Sequence, residues 1–381
     1  MSERLQYFQR SGLATAVSLP FSVEDRIHAW VALRSAMVRE RADEFTRDEW
    51  AYLIGFLDES SLRAPWRLTF GEILRTPPSR VERLARPRGS VVVWLPNNVS
   101  LLGPLVAILL SLTGNNVILK EGSRAESLTH AFLGFARVKG SDQLRAALAN
   151  TSVVRSERDD ADQATTVREA DVVIVFGSDA AVAAAAEAMR PGATLIPFGD
   201  RRSEAWLSKE VSDSELVDLI KVFAIYGQAG CTSPSRVVVL GDDSDAEIIA
   251  DRLLSLWPAR LRAVDASAAS ANFLAAQLAT LRGGRVRVAP FNSAVIVSGH
   301  SVVETGAVLP VVAASRDTAV DSLPPNIQTI GHNLDGDDAV ALLANTRVKR
   351  IVPIRRMHHF GPTWDGRNFW SECFEYVEVS S

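Results

Sequence analysis

The stretch Tyr226-Gly227-Gln228-Ala229-Gly230-Cys231-Thr232-Ser233-Pro234-Ser235-Arg236, running into Val237-Val238-Val239, is where this sequence could do covalent chemistry. Two glycines bracket a cysteine just ahead of a strand-like run, and glycine lets backbone or ligand approach closely. A cysteine is a strong nucleophile when it is partly exposed in a locally positive setting. By itself the pattern leaves two readings, a nucleophile or an inert cysteine packed among small residues, and the second is the commoner. Another stretch is Pro96-Asn97-Asn98-Val99-Ser100, followed by the apolar run 101–112 and by Gly114-Asn115-Asn116-Val117-Ile118-Leu119-Lys120. Asparagine after a strand usually serves the turn, but its amide N–H can also stabilise an oxyanion. Lys120, ending the next strand on the same sheet edge, could reach a ribose or phosphate; a solvated strand end is the plainer reading. In Val175-Phe176-Gly177-Ser178-Asp179, Ser178 or Asp179 can cap a helix, and a helix start also suits phosphate. The sequence holds no GxGxxG fingerprint, which argues against the usual dinucleotide-fold variant.

The elements that must position these groups follow from hydrophobic patterning. From residue 90, short apolar runs predict strands at 91–95, 116–120, 152–155, 171–176 and 194–197. Helices are expected between them, at 101–112, from Arg124 onward and over the alanine-rich 180–188. Strands alternating with helices argue for a parallel sheet covered on both faces, with ligands at the carboxyl ends of its strands. Residues 81–199 therefore read as a dinucleotide-binding domain. Residues 1–80 read as a mostly helical segment, with apolar periodicity at 27–38 and 49–57, and serve better as a cap or substrate-side wall than as a separate functional domain. Beyond Gly199 a helix at 214–226, a loop at 227–235 and a strand at 236–240 open a second α/β domain, 200–349, which carries the cysteine. The segment 350–381, with strands at 351–354 and 374–379, returns to the first domain or packs between subunits.

Composition limits the alternatives. The 381 residues are 47% hydrophobic, enough to bury the cores of two domains. A net charge of −4 with no basic run does not suggest a nucleic-acid binder, and no nucleic-acid partner is expected. Cys231 and Cys373 are the only cysteines, far apart, so no disulfide framework exists and a reducing compartment, the cytoplasm, is expected. The N-terminus MSERLQYFQR lacks the apolar run of a signal peptide. The run 101–112 falls short of the ~20 residues a bilayer requires, so no membrane span is expected.

Taken in order, strand–PxN–helix–GN–strand–Lys, then FGS, then GQxxCTSPSR, the sequence resembles the aldehyde dehydrogenase superfamily. Within it the chain looks most like the long-chain acyl-CoA reductase family, the type that supplies fatty aldehyde in bacterial luminescence. That family carries a PGNVP-like loop where Pro96-Asn97-Asn98-Val99-Ser100 stands. Its C-terminal region is similar to Asn326-Ile327-Gln328-Thr329, Arg350-Ile351-Val352-Pro353-Ile354 and Trp364-Asp365-Gly366. The resemblance runs from about residue 90 to about residue 370. It implies an α/β, aldehyde-dehydrogenase-like fold, with a parallel-sheet dinucleotide-binding domain and an α/β catalytic domain.

By this resemblance Cys231 matches the nucleophile and Asn98 the oxyanion-binding asparagine, with Asn97 as the alternative. Lys120 matches the lysine on the adenosine ribose, and Gly177 and Ser178 the turn near the cofactor pyrophosphate. Glu304 matches the nicotinamide-ribose glutamate once a gap is allowed. Hydrolytic members carry a water-activating glutamate in an ELGG-type motif; here Leu195-Ile196-Pro197-Phe198-Gly199-Asp200 puts Pro197, which has no acid–base group, in its place. The expected reaction is reduction of an acyl thioester, on coenzyme A or an acyl carrier protein, to an aldehyde through a cysteinyl acyl-enzyme, with the substrate bound between the domains. Lys120, Ser123 and Arg124 could hold a 2′-phosphate, favouring NADPH, whereas Glu121 beside them would favour NADH. His358 and His359 read as surface histidines, with acid–base work as the less common alternative. The resemblance also implies a homodimer. The competing readings are an oxidative aldehyde or semialdehyde dehydrogenase, and a non-catalytic binding relative.

Overall fold

The computed structural model describes residues 22–70, 83–122, 128–156, 161–225, 230–258, 266–299 and 306–378. Ser123, Arg124, Tyr226 to Ala229 and Glu304, all singled out above, lie outside the described residues. The chain forms two compact units, one of Met1–Gly199 with Phe360–Ser381 and one of Asp200–His359.

The first unit opens with the helices α1 (Val23–Arg39), α2 (Arg47–Phe56) and α3 (Glu59–Phe70). Ser22 and Thr46 start α1 and α2 as capping boxes, with Asp25 and Glu49 reaching back to the cap. The sequence pattern does not reveal α3, because Pro65 sits inside it; burial of Leu62, Trp66 and Phe70 outweighs the missing backbone bond. There follow β1 (Arg83–Pro87), β2 (Ser90–Trp94), α4 (Leu102–Ser111), β3 (Asn116–Gly122), α5 (Leu128–Lys139), α6 (Asp142–Ala147), β4 (Thr151–Ser156), α7 (Ala161–Glu169), β5 (Val172–Phe176), α8 (Asp179–Ala188) and β6 (Thr194–Phe198).

Strands β2 to β6 form one parallel sheet in the order β4-β3-β2-β5-β6. The winding reverses between β2 and β5, the point at which open α/β sheets receive ligands. β5 is buried at every residue, as a strand covered on both faces must be. α4 is likewise buried throughout, which suits its nearly all-apolar sequence. α1 docks on it: the Trp30 indole N–H donates to Ser111 Oγ (2.9 Å), and the ring stacks on Phe132 of α5 at 5.8 Å. The N-terminal helices thus share the core of the first unit. Among the described residues no helix is long and apolar enough to cross a membrane.

The second unit contains β7 (Arg202–Ser208), α9 (Asp213–Ala224), β8 (Pro234–Leu240), α10 (Asp243–Leu256), α11 (Ala266–Leu281), β9 (Arg285–Val288), β10 (Val295–Ser298), β11 (Val308–Ala314), α12 (Arg316–Asp321), β12 (Ile327–His332), α13 (Gly336–Asn345) and β13 (Arg350–Pro353). Its sheet runs β13-β12-β7-β8-β11-β10-β9, parallel except where β9 meets β10. α9 packs Leu216, Ile220 and Phe223 against Val237 and Val239 of β8. β7 shifts register against β8 between Ser203 and Ala205, a bulge at the amino end of the sheet.

From Phe360 the chain is again part of the first unit, with β14 (Thr363–Trp364), β15 (Arg367–Asn368), α14 (Phe369–Glu372) and β16 (Phe374–Glu378). Asp365 and Gly366 take φ of 47° and 75°, the left-handed pair a two-residue hairpin turn demands. β16 pairs antiparallel with β1, and the Trp370 indole donates to the Leu109 carbonyl at 2.8 Å.

Candidate active site

Cys231 sits in the turn that leads into β8, where the Ser233 N–H closes onto the Gly230 carbonyl at 2.9 Å. The residue is half-buried, while Thr232 and Ser233 behind it are buried. Two contacts pin the turn. Ser203, wholly buried at the β7 bulge, donates from Oγ to the Cys231 carbonyl at 2.7 Å; its own carbonyl accepts from Ser235 Oγ at 3.0 Å. On the other flank Thr232 Oγ1 lies 2.6 Å from Nδ1 of His358, whose Nε2 lies 2.7 Å from the Val222 carbonyl. A carbonyl can only accept, so Nε2 carries the proton, Nδ1 is the acceptor and Thr232 donates to it. Val222 is in the last turn of α9, where carbonyls lack helical partners, and His358 supplies one. Burial pushes the His358 imidazole down to about 4, the neighbouring Arg350 guanidinium acting in the same direction, so the ring is neutral at physiological pH. The expectation of a surface histidine is therefore corrected for His358, whereas His359 beside it is the more exposed of the two.

Next to this turn β7 and β8 share an ion pair whose carboxylate is buried and whose guanidinium is partly exposed. Glu204, 1% exposed, accepts from Arg236 Nε at 2.7 Å and from the Trp206 indole at 3.0 Å. Burial raises the Glu204 carboxyl above its ordinary range, against the pull of Arg236. The pair locks the strands on which Ser203 and the Cys231 turn depend.

The other cysteine is chemically different. Cys373 is fully buried in the first unit, and burial drives its thiol far above the ordinary range. Its carbonyl accepts from the Asn115 side-chain amide at 3.2 Å, while Asn115 Oδ1 takes the Gly89 N–H at 2.9 Å. The Gly-Asn pair of the sequence motif is thus a structural clamp around the start of β3.

The remaining predicted residues lie in the first unit, at the carboxyl ends of its strands. Lys120 and Trp94 pair across β3 and β2, with Lys120 Nζ 5.3 Å from the Trp94 ring centre. Ile118, two residues before Lys120, packs with Trp94 on the face covered by α8, so Lys120 shares the face from which Gly177 and Ser178 start that helix. Ser178 is the helix cap, its Oγ accepting the Ala181 N–H at 3.3 Å. Gly177 makes the strand-to-helix turn tight: a Cβ there would lie 3.2 Å from the Ala181 Cβ. Glu121 is 4% exposed and accepts the Thr129 N–H at 3.3 Å in the first turn of α5. It faces away from Lys120, contrary to the expectation that it crowds the same ligand. Asn97 packs on the end of β3, where a Cβ at Gly122 would lie 2.0 Å from its Oδ1. Asn98, next along the loop, is exposed. Pro197 stands in β6, an edge strand, where a residue without an N–H is tolerated.

Sequence reasoning did not find Ser203, Thr232 or His358 as parts of the cysteine's setting. Nothing in Arg202-Ser203-Glu204 marks a contact with a residue 28 positions away, and His358 meets Thr232 across 126 positions.

Comparison with known proteins bears on both units. The sequence model of the acyl-CoA reductase (LuxC) family matches residues 72–369. No curated protein sequence matches significantly. Among solved structures, the chain is similar to a methylmalonate-semialdehyde dehydrogenase (DddC) from Oceanimonas doudoroffii, with a TM-score of 0.67 at 14% identity over 94% of this chain and 85% of that one. It is also similar to an NAD-dependent aldehyde dehydrogenase from Sinorhizobium meliloti, with a TM-score of 0.65 at 15% identity over 95% and 82% of the two chains. An oxidoreductase from Marinobacter aquaeolei gives a TM-score of 0.65 at 14% identity over 94% and 84%. At such identities the likeness speaks for the fold, which is that of the aldehyde dehydrogenases.

Proposed function

This chain belongs to the acyl-CoA reductase (LuxC) family, and from that premise we propose that it reduces an acyl thioester to an aldehyde through an acyl group carried on Cys231. It is an oxidoreductase, and the family is one of acyl-CoA reductases. The observation that carries the reading is the contrast between its two cysteines. Cys231 is half-buried in a turn held through its own carbonyl and through Thr232, while Cys373 is fully buried with its thiol held protonated.

In the proposed reaction the Cys231 thiolate attacks the thioester carbonyl. The new C–S bond forms as the bond to the carrier thiol breaks, and the departing thiolate takes up a proton. The Asn98 amide and the Cys231 backbone N–H stabilise the oxyanion in this step and in the reduction that follows. Asn98 is preferred to Asn97, whose side chain lies over Gly122 at the end of β3. When bound, a reduced nicotinamide supplies hydride to the acyl carbonyl. Collapse toward the Cys231 sulfur then frees the aldehyde and restores the thiolate. Pro197 offers no base to activate water, so the acyl group is reserved for reduction or thiol exchange.

The residues of the first unit fit a dinucleotide. The reversal of winding between β2 and β5, the α8 start at Gly177 and Ser178, and Lys120 on the α8 face are suited to phosphate and ribose. Ser123 and Arg124, which follow Lys120 in sequence, complete the phosphate-binding set by their chemistry, and Glu304, in the second half of the chain, joins the proposed set by resemblance. Glu121, turned toward α5, does not oppose a 2′-phosphate, which supports NADPH over NADH. The acyl donor is acyl-CoA or an acyl carrier protein, and a cytoplasmic homodimer is part of the same reading.

The test is oxidation of NADPH, followed by absorbance, with acyl-CoA thioesters from acetyl to palmitoyl, for wild type and Cys231→Ala side by side. Consumption that disappears in the variant is expected. Oxidation of free aldehydes to acids without any thiol acceptor would overturn the reading in favour of a hydrolytic dehydrogenase.

A further inference from the structure

We propose that His358 is a positioning residue for Cys231: an imidazole that ties Thr232, the residue after the cysteine, to the end of α9. The inference rests on the reading of Cys231 as the nucleophile. It stands on the geometry of the segment that presents the ring. Ile354 is buried in the core that includes Phe223 of α9. Met357 is buried against β12 at Gly331, where a Cβ would lie 2.2 Å from its sulfur. The Arg350 guanidinium donates to the carbonyls of Met357 at 2.6 Å, Arg356 at 2.5 Å and His359 at 2.9 Å. The backbone on both sides of residue 358 is therefore held, and the ring is delivered to one place. There its two nitrogens do different work: Nε2–H is spent on the Val222 carbonyl, and Nδ1 accepts from Thr232. With Ser203 holding the Cys231 carbonyl from β7, the chain is held at two consecutive residues, the sulfur-bearing one and the one that follows it.

A purely structural role would need only the bond to Val222, which completes the helix end. A positioning role needs the bond to Thr232. Two substitutions separate them. In His358→Asn the amide oxygen can take the place of Nδ1 and accept from Thr232, but the side chain no longer reaches Val222, whose carbonyl keeps only the long bond from Ser233 Oγ at 3.4 Å. In His358→Gln the amide N–H can reach Val222, but the acceptor for Thr232 is lost. Thr232→Val removes the same link from the other side.

The experiment measures acyl transfer from palmitoyl-CoA, octanoyl-CoA and acetyl-CoA to Cys231 without cofactor, as the rate of the mass increase on the Cys231 peptide, together with the thermal midpoint of each variant. One hydrogen bond is worth about three- to tenfold, and misplacement of a reacting atom up to ~100-fold. The expected result is a loss of at least about tenfold in acylation rate for His358→Gln and Thr232→Val. His358→Asn should stay within about threefold of wild type at a thermal midpoint no higher than that of His358→Gln. Wild-type acylation rates in His358→Gln and Thr232→Val would overturn the proposal. So would a loss in His358→Asn as large as that in His358→Gln, since the bond to α9 alone would then matter. If the wild-type protein is not acylated at Cys231 by any of the three thioesters yet reduces them, the nucleophile reading itself fails, a result distinct from either of these.

Discussion

The neutral state of His358 has a consequence for stability that can be worked through. Its imidazole titrates near 6.5 in an unfolded chain and is pushed down to about 4 in the folded protein, chiefly by burial. Above 6.5 neither state holds the proton, and the contribution of this group to stability is fully present. As pH falls below 6.5 the unfolded chain takes up a proton that the folded protein refuses, and the contribution is lost progressively down to about 4. Each pH unit in that window costs ~1.4 kcal/mol, so the loss is ~2 kcal/mol by about pH 5 and ~3 kcal/mol in full. His332 and His359 are shifted in the same direction by burial, so wild type alone would mix their effects. The comparison with His358→Asn removes this difficulty, because the asparagine does not titrate and the other histidines remain. Asn costs stability at neutral pH by losing the Val222 bond, but the gap between the two proteins should narrow by ~2 kcal/mol between about pH 7.5 and about pH 5. Hydrogen exchange of the Val237, Val238 and Val239 amides in β8 reports the opening of the second unit itself. A gap that stays constant across this pH range would refute the reasoning, since it would mean that the folded protein protonates His358 as easily as the unfolded chain does.

Three further outcomes are expected. Asn98→Ala should lower turnover ~100- to 1,000-fold if its amide serves the oxyanion; steady-state kinetics on the best acyl-CoA would reveal it, and an unaffected rate would remove Asn98 from the site. Iodoacetamide should label Cys231 in the native protein and reach Cys373 only after denaturant is added, as peptide mass mapping would show; native labelling of Cys373 would contradict its burial. Arg236→Met should destabilise the second unit by ~3–5 kcal/mol, because Glu204 would be left buried without its counter-ion, and Glu204→Gln in the same chain should recover part of the loss in urea unfolding.

The sequence alone determined the features that depend on near neighbours. Short β-branched apolar runs such as Val91-Val92-Val93 and Val172–Phe176 read as buried strands, and the longer, nearly all-apolar run of α4 as an interior helix. The order of motifs was enough to name the superfamily and the acyl-CoA reductases within it, which the family match bears out. Tertiary structure decided what each polar group near those motifs is for. Glu121 looked like a neighbour of the ligand carried by Lys120, but strand alternation sends it to α5 on the other face. Asn115 looked like part of a motif and is a clamp on Gly89 and Cys373. His358 looked like a surface residue and is a neutral link between α9 and Thr232. Each of these depends on a partner brought close by folding, and a hydrogen bond between residues more than 100 positions apart, as in the His358 pair, leaves no periodicity or spacing to read. Local pattern records which residues are buried; which polar atom meets which is settled only when the sheets and helices pack.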